Sequence, residues 1–543
     1  MRSRTHLVRY GVAICVVAGA VALAACGSKS TNGSGSSGSS SGSSTTASGT
    51  PQKGGSLTVL EDSAFAGAWP AGLDPATNTN GAANQPYMNS IYGQLFKLNE
   101  KGEIVPELVS AYKFENGGKT VKLTLRQGVK FSDGTPFDAD AVVFNIKRDL
   151  KSTCTCRPTW PVKSVTAEGT DTVVLNFTAP YAAIIASFID SNANWTASPT
   201  ALKKLGERKF RITPVGAGPF KVVSNKLSSE LALERNPTYW KTGKPLLDKL
   251  TFKSIGGDQA AYQALLAGQA QAYEGMSTPK LVQQAGKSGK LKVTQQLSTS
   301  PYFMQLNTTI PPFNDPKARQ AIYYASDSEA IRSHIFDNMY ENTQGFTGPG
   351  GLFFEPKVPG YRTYDLDKAK ELVKELGGLT VKLGTINVLV AKQTIQALQS
   401  QWQQAGIKVS IDSYDLTGLI QAFQSKKWQA MLQTAGSYDP AQGVGVAFRM
   451  ASQSPFSGIK DPKLDQMLGA AAGTLDQDKR KTMYDDMAKY ISDQAYGPFY
   501  FAFAPANVAV KGVTGPGLTT AMPAVVVNPD VFWDEVSASG SSS

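Results

Sequence analysis

From Gly27 to Thr50 the chain is almost nothing but Gly, Ser and Thr. Residues 27–53 hold no aromatic side chain, and their apolar content is Ala47 and Pro51. Such a segment cannot bury enough surface to offset the entropy of ordering its backbone. A Gly/Ser chain is instead a flexible coil, and about 26 residues of it reach ~25–30 Å. The folded body therefore begins near Gly54 and runs to roughly 490 residues. A single hydrophobic core does not grow to that size, so two or three lobes are expected.

What precedes the Gly/Ser tract gives it a purpose. Arg2, Arg4 and Arg9 form a positive head, followed by an apolar stretch from Gly11 to Ala24. That stretch is shorter than the ~20 residues of a spanning helix, and the pattern is that of a secretory signal. It ends in Leu23-Ala24-Ala25-Cys26, a word that resembles the bacterial lipobox. The resemblance implies removal of residues 1–25 and attachment of a diacylglycerol to the sulfur of Cys26. Residues 26–53 would then be a lipidated cysteine and its tether. The body would stand on the outer face of the cytoplasmic membrane, held by two or three acyl chains.

Charge and residue usage exclude more than they specify. The chain has 54 basic and 43 acidic residues, a net charge of +11 that falls to +8 when the leader is lost. The charges are scattered, with no dense Lys/Arg block and no zinc pattern, so nucleic acid is not an expected partner. Beyond Cys15 and Cys26, only Cys154 and Cys156 remain. A disulfide between them would close a strained ring, and two thiols alone make a poor metal site. They read as loop thiols, open to oxidation outside the cell. The histidines are His6, in the leader, and His334, on an amphipathic helical pattern. No Gly-x-Ser-x-Gly elbow, His-Glu-x-x-His word or phosphate loop is present. No catalytic residue, metal ligand or cofactor is expected, and binding is favoured over chemistry.

Periodicity outlines a mixed α/β body. "GGSLTVL" (54–60), "TVKLTL" (120–125), "TVVLNF" (172–177) and "LALERN" (231–236) read as strands. A helix is expected near Ala83–Leu95. Another follows Asp138 or Asp140, with Val142, Val143, Ile146 and Leu150 on one face. The second half is richer in helices: "NDPKARQAIYYAS" with Pro316 in its first turn, a segment opening at Asp365 and stopping at Gly377-Gly378, and one ending at Gly406. "IKVSID" follows as a strand, and the β-then-α alternation argues an α/β lobe.

Several words then fall in fixed order: "GGSL…LDPA", "YGQLF", "VPELVSAYKFENGGKTVKLTLRQGVKFSDGTPFDADAVVFNIKR", "GAGPFKVVS", "LERNPTYW", "FMQLNTTIPPFNDPKARQAIYYASD", "AGIKVSI" and "YDP". From about Gly54 to the end, the chain resembles the solute-binding proteins of ABC importers for oligopeptides, dipeptides, nickel chelates and some oligosaccharides. The resemblance implies a two-lobed periplasmic-binding-protein fold of the class II type, α/β, with an extra β-rich subdomain in the first lobe. It implies lobe I over 54–299 with the insertion at about 97–205, lobe II over 300–505, and a return to lobe I over 506–543. Crossings fall near Ser300–Asn307 and Phe499–Asn507. The lobes would close on a small solute, most simply a peptide, and a monomer would deliver it to a permease and ATPase complex.

Segments matching the family's pocket give the candidate ligand-binding residues: Asn80 and Gln85 in the loop after "LDPA", Trp160, Asn194 and Trp195, Tyr302, Phe346, and Tyr438 with Asp439. Tyr239, Trp240 and Trp402 read as packing. One departure matters. Peptide-binding members commonly hold the ligand's amino group with an Asp just before the "DP" pair, and here that position is Gly436. Either Asp439 substitutes or the ligand lacks a free amine. An oligosaccharide binder on the same scaffold, a sensing or adhesion role, and a secreted lipoprotein hydrolase are the competing expectations.

Overall fold

The computed structural model describes residues 52–539 apart from 65–66, 79–82, 153–157, 159, 444 and 526–527. The leader, Cys26, the tether, Asn80, Cys154 and Cys156 lie outside the described residues. The remainder of the body is built on three principal sheets. The first has seven strands, in the order Leu291–Gln295, Ala506–Val510, Ala272–Met276, Ser56–Asp62, Lys249–Ile255, Glu230–Arg235 and Phe220–Lys226. Ser56–Asp62 runs parallel to both its neighbours, and the outer pairings are antiparallel. Leu57 and Val59 enter the core on one face, and Leu60 enters a second core on the other. Burial on both faces explains why the neighbours Val59 and Leu60, which point to opposite faces, are both apolar.

The second sheet has six strands, in the order Glu341–Asn342, Phe499–Ala502, Pro301–Leu306, Ala430–Thr434, Leu379–Ile386 and Ile407–Tyr414. Two sheets with separate cores give the two lobes. The third sheet is four-stranded and antiparallel, Val109–Glu115, Thr120–Leu125, Thr172–Phe177 and Val162–Glu168. It lies in sequence between the first strand and Phe220–Lys226. Val121, Leu123 and Leu125 alternate into its core, as a half-buried strand requires. The helix Ala139–Asp149 covers it, and the choice between two capping residues falls on Asp138, whose carboxylate accepts from Ala141 N. Asp315, Asp365 and Asp476 cap later helices in the same way.

The chain passes from the first sheet to the second over residues 296–300 and back over 503–505. The two passages bond each other: Phe503 N donates to Ser300 O at 2.9 Å, and Ser298 Oγ donates to Phe503 O at 2.6 Å. The glycine-rich "GFTGPGG" loop packs directly on this backbone. Gly350 N donates to Ser298 O at 2.7 Å, and a Cβ on Gly350 would lie 2.3 Å from Leu297 O. Gly350→Ala is therefore expected to destabilise by about 1–3 kcal/mol, read as a lower denaturant midpoint. An unchanged midpoint would show that the passage yields freely.

Candidate functional site

The lobes meet along a seam built around the second-lobe loop 436–445. From the first lobe, Asp190 closes the helix Ile184–Ile189 and accepts two backbone N–H groups of that loop, from Tyr438 at 2.8 Å and Asp439 at 3.2 Å. Tyr438 Oη donates to Gly102 O at 2.5 Å, and Gln442 Nε2 donates to Tyr181 Oη. Ala182 N donates to Ala472 O, at the end of the second-lobe helix Pro462–Gly473, at 2.9 Å. Trp160, Phe188, Tyr181 and Tyr438 share one apolar cluster, with Trp160 set edge-on to Phe188 at 4.9 Å.

Three of the expected residues thus converge here: Trp160, Tyr438 and Asp439. The carboxylate of Asp439 is engaged internally. It accepts Arg480 Nη2 at 3.0 and 2.9 Å, with both side chains essentially inaccessible to solvent. Arg480 also donates from Nε to Ala471 O and lies over the ring of Phe353. Asp439 therefore fastens its loop to the helix Gln477–Asp493 and is not a free acceptor for a solute cation. Phe346 reaches the same assembly through Tyr484, 5.9 Å away and in turn beside Arg480. Tyr302 pairs with Thr434, two residues before Gly436, and its phenol is held above the usual range by burial.

The remaining expected residues serve the first lobe. Asn194 is engaged by the strand Phe96–Leu98, accepting from Phe96 N at 3.0 Å and donating to Phe96 O at 2.9 Å. Trp195 donates from Nε1 to Asn89 Oδ1 at 2.7 Å inside the first-lobe core. In this structure both side chains make their hydrogen bonds within the first lobe. Gln85 opens the helix Gln85–Tyr92 and is buried. Tyr239, Trp240 and Trp402 pack as read: Tyr239 Oη donates to Asp534, Arg126 lies over Trp240, and Trp402 is wholly buried. His334 ends a short helix and is exposed.

Two charges on the seam were not legible in the sequence. Asp190 forms no ion pair among the described residues, and its carboxyl is pushed up to about 8, first by burial and then by repulsion from Asp439. At the other end of the loop, the buried Arg449 donates Nε to Thr434 O at 2.9 Å. It too has no carboxylate partner among the described residues, and burial lowers its guanidinium to about 9. Asp190 sits four residues before Asn194, just ahead of the segment the family pattern flagged. Arg449 carries no signal of its own. Gly436 has no room for a side chain, since its Cβ would lie 2.0 Å from Ser300 Oγ.

A separate cavity of about 540 Å³ opens on the second lobe, lined by Lys382, Asp412, Tyr414, Trp428 and Met431 among others. Lys382 and Asp412 on its wall are paired with each other at 2.8 Å, and none of the expected residues lines it. Among the described residues, no group of three His, Cys, Asp or Glu could hold a metal ion, and no helix is long and apolar enough to cross a membrane.

A two-lobed α/β body with a loop of one lobe latched across the other is the geometry of a solute-binding protein. Comparison with known proteins agrees. The model of the bacterial extracellular solute-binding proteins, family 5, matches residues 103–456. The glutathione-binding protein GsiB of Pectobacterium atrosepticum is 28% identical over 443 residues, 76% of this chain and 83% of that protein. Among solved structures, the ABC transporter-associated periplasmic binding protein DppA of Helicobacter pylori, in complex with the peptide STSA, superposes with a TM-score of 0.75 at 21% identity. It covers 90% of this chain and 99% of that one. The binding protein AgaA of Agrobacterium tumefaciens, in complex with agropinic acid, gives 0.74 at 21%, covering 90% and 99%. The chain belongs to the family 5 extracellular solute-binding proteins, the substrate-binding components of ABC importers.

Proposed function

We propose that this protein captures a peptide or similar small zwitterion between its two lobes and delivers it to an ABC permease, without catalysing a reaction. The observation that carries this reading is a pair of ionisable groups that flank loop 436–445 from opposite ends, Asp190 of the first lobe and Arg449 of the second, neither with an ion-pair partner among the described residues. An enclosed carboxylate and an enclosed guanidinium are each costly to leave without a partner. A zwitterion neutralises both, whereas a neutral oligosaccharide leaves both uncompensated. The names of its relatives support the same class, since GsiB binds glutathione and DppA was solved with a peptide. AgaA's agropinic acid shows that the scaffold also accepts a non-peptide, which keeps an opine-like solute as the second reading.

The test is thermal unfolding of residues 50–543, which form one unit, against di- to pentapeptides, oligosaccharides and metal chelates. A ligand of the folded state raises its stability by RT ln(1 + [L]/Kd), about 2.7 kcal/mol at one hundred times Kd. A shift with peptides is expected, and a shift with sugars alone would remove the peptide assignment.

We further propose that the mature protein is a lipoprotein anchored through Cys26, with residues 27–53 as its tether. Cys26→Ser is expected to abolish labelling by radioactive palmitate and to move the protein from the membrane fraction to the medium. Continued membrane association of that variant would contradict the anchor.

A further inference from the structure

At one end of the seven-stranded sheet the fold gathers lysines that lie far apart in the chain. Lys249 pairs with Ser56 across two parallel strands, and Lys53 stands just before that strand. Gly54 N donates to Leu246 O at 2.8 Å and Gly55 N to Asp248 Oδ2 at 3.0 Å, so the tether joins the fold at this end. Across the sheet Val59 is matched by Ala272, and Ala272 by Ala509, which carries the same level to the neighbouring strands. Val510 pairs with Leu291, and just beyond them Lys511 N donates to Lys290 O at 3.1 Å. The helix Pro279–Lys287 returns to this end and stops with Lys287. All of these lysines are exposed, and none forms an ion pair among the described residues. The acids around them are occupied: Asp248 holds Arg235 at 2.7 Å, Glu234 holds Lys221 at 2.9 Å and Asp534 holds Lys241 at 2.9 Å. Glu535 is half-buried and adds one negative group against the lysines.

Ammonium groups left without counter-ions on one face repel one another, and each is free to meet an anion from outside. These are spread over adjacent strands from Leu291–Gln295 to Lys249–Ile255, about 19 Å across at the usual strand spacing. That span is too wide for a single phosphate or carboxylate and matches an extended anionic surface. The tether identifies the surface. It enters at the same end, and a coil of its length keeps this face within ~25–30 Å of the bilayer. Within a Debye length of anionic lipid, about 8 Å at physiological salt, each lysine multiplies the partition onto the membrane by roughly fivefold. We propose that this lysine face of the first lobe docks on anionic phospholipid at the membrane surface and sets the orientation of the anchored protein. The membrane setting rests on the lipoprotein reading above, while the contact itself belongs to the folded body. A lipid chain and a basic patch are the two signals that together give stable attachment. The consequence follows from the strands. Leu291–Gln295 and Ala506–Val510 have the lysines at one end and the passages to the second lobe, 296–300 and 503–505, at the other. Docking therefore turns both passages away from the bilayer and leaves the joint between the lobes clear of lipid.

The experiment uses the mature chain, residues 26–543, made without lipid, so that the contact is measured apart from the anchor. Binding is read by co-sedimentation with vesicles of phosphatidylcholine containing about 30% phosphatidylglycerol, and with vesicles of phosphatidylcholine alone. The wild type is expected to bind the anionic vesicles at about 0.05 M salt, to leave them at about 0.5 M, and to ignore the neutral ones. The variant Lys249→Gln/Lys290→Gln/Lys511→Gln is expected to lose about a hundredfold in partition onto anionic vesicles. Lys374→Gln/Lys392→Gln/Lys408→Gln removes the same charge from exposed, unpaired positions on the second lobe and is expected to stay within about twofold of the wild type. All six positions are exposed, so neither variant disturbs a core. Equal loss in the two variants would overturn the proposal by assigning the binding to net charge. So would equal binding of the wild type to both kinds of vesicle, or binding to a soluble polyphosphate chain but to no vesicle. The anchor is read separately, by palmitate labelling of Cys26. Labelling with no vesicle binding by the unlipidated chain would remove the docking face and keep the anchor. Vesicle binding without labelling would keep the face and remove the anchor.

Discussion

Replacing Arg480 by methionine is expected to lower the unfolding free energy by about 3–5 kcal/mol, because it leaves a buried charge with no counter-ion. Arg480 and Asp439 are 1% and 0% exposed, and Nη2 bridges both carboxylate oxygens. Burying such a pair contributes little net stability, but removing one partner exposes the full cost of burying the other. The loss is expected to appear as a lower denaturant midpoint, and adding Asp439→Asn should recover part of it. The functional consequence follows from position. Asp439 adjoins Tyr438 in the loop that Asp190 grips, so Arg480→Met should also weaken solute binding without touching solute. A variant of wild-type stability would show that the ion pair is replaced by water when broken.

The second large effect comes from two carboxyl groups in the first lobe. Glu61 and Glu274 sit opposite each other on adjacent parallel strands, are 0% and 1% exposed, and their carboxyl oxygens have no hydrogen-bond partner among the described residues. Burial, and for Glu61 the nearby Glu274 and Asp62 charges, hold the pair's proton well above the ordinary carboxylic range. The folded state therefore keeps a proton that the unfolded state releases. Stability from this pair is fully present below the ordinary glutamate value and is lost as pH rises through the raised one. Between pH 5 and pH 8 the wild type is expected to lose roughly 2–4 kcal/mol through these groups. The double variant Glu61→Gln/Glu274→Gln replaces the pair with amides that bond each other without ionising. Its unfolding midpoint should stay level across that range and exceed the wild type's at pH 8. A wild-type slope retained in the double variant would place the pH dependence elsewhere.

Local structure was readable where a residue acts on its immediate neighbours. Asp138 and Asp365 announce helix starts, and Val121, Leu123 and Leu125 announce one face of a strand. The family words pointed to segments, several of which meet at the seam, while the atoms that reach across it depend on partners distant in the chain. The conspicuous Asn194 and Trp195 turn inward to hold the first lobe, while the inconspicuous Asp190, four residues before Asn194, reaches the second lobe. The difference lies in partners from Phe96 and Asn89, distant in the chain, which no local pattern encodes. Arg480 sits in the run "DQDKRK", which looks like a solvated helix face. Only the packing of that helix against loop 436–445 takes it inside. The same holds for the seven-stranded sheet, whose central strand Ser56–Asp62 pairs with Lys249–Ile255 and Ala272–Met276. Pairing over such separations is set by tertiary packing and not by propensity.

The central claim is that the lobes close on a solute at the seam. It is tested most directly by small-angle X-ray scattering from residues 50–543, alone and with a saturating amount of whichever peptide, sugar or chelate raises the unfolding midpoint. The account predicts that the radius of gyration falls on addition of that solute, because the solute's contacts exist in full only when the first lobe reaches loop 436–445. Binding with no change in scattering would contradict closure and place the solute on one lobe alone.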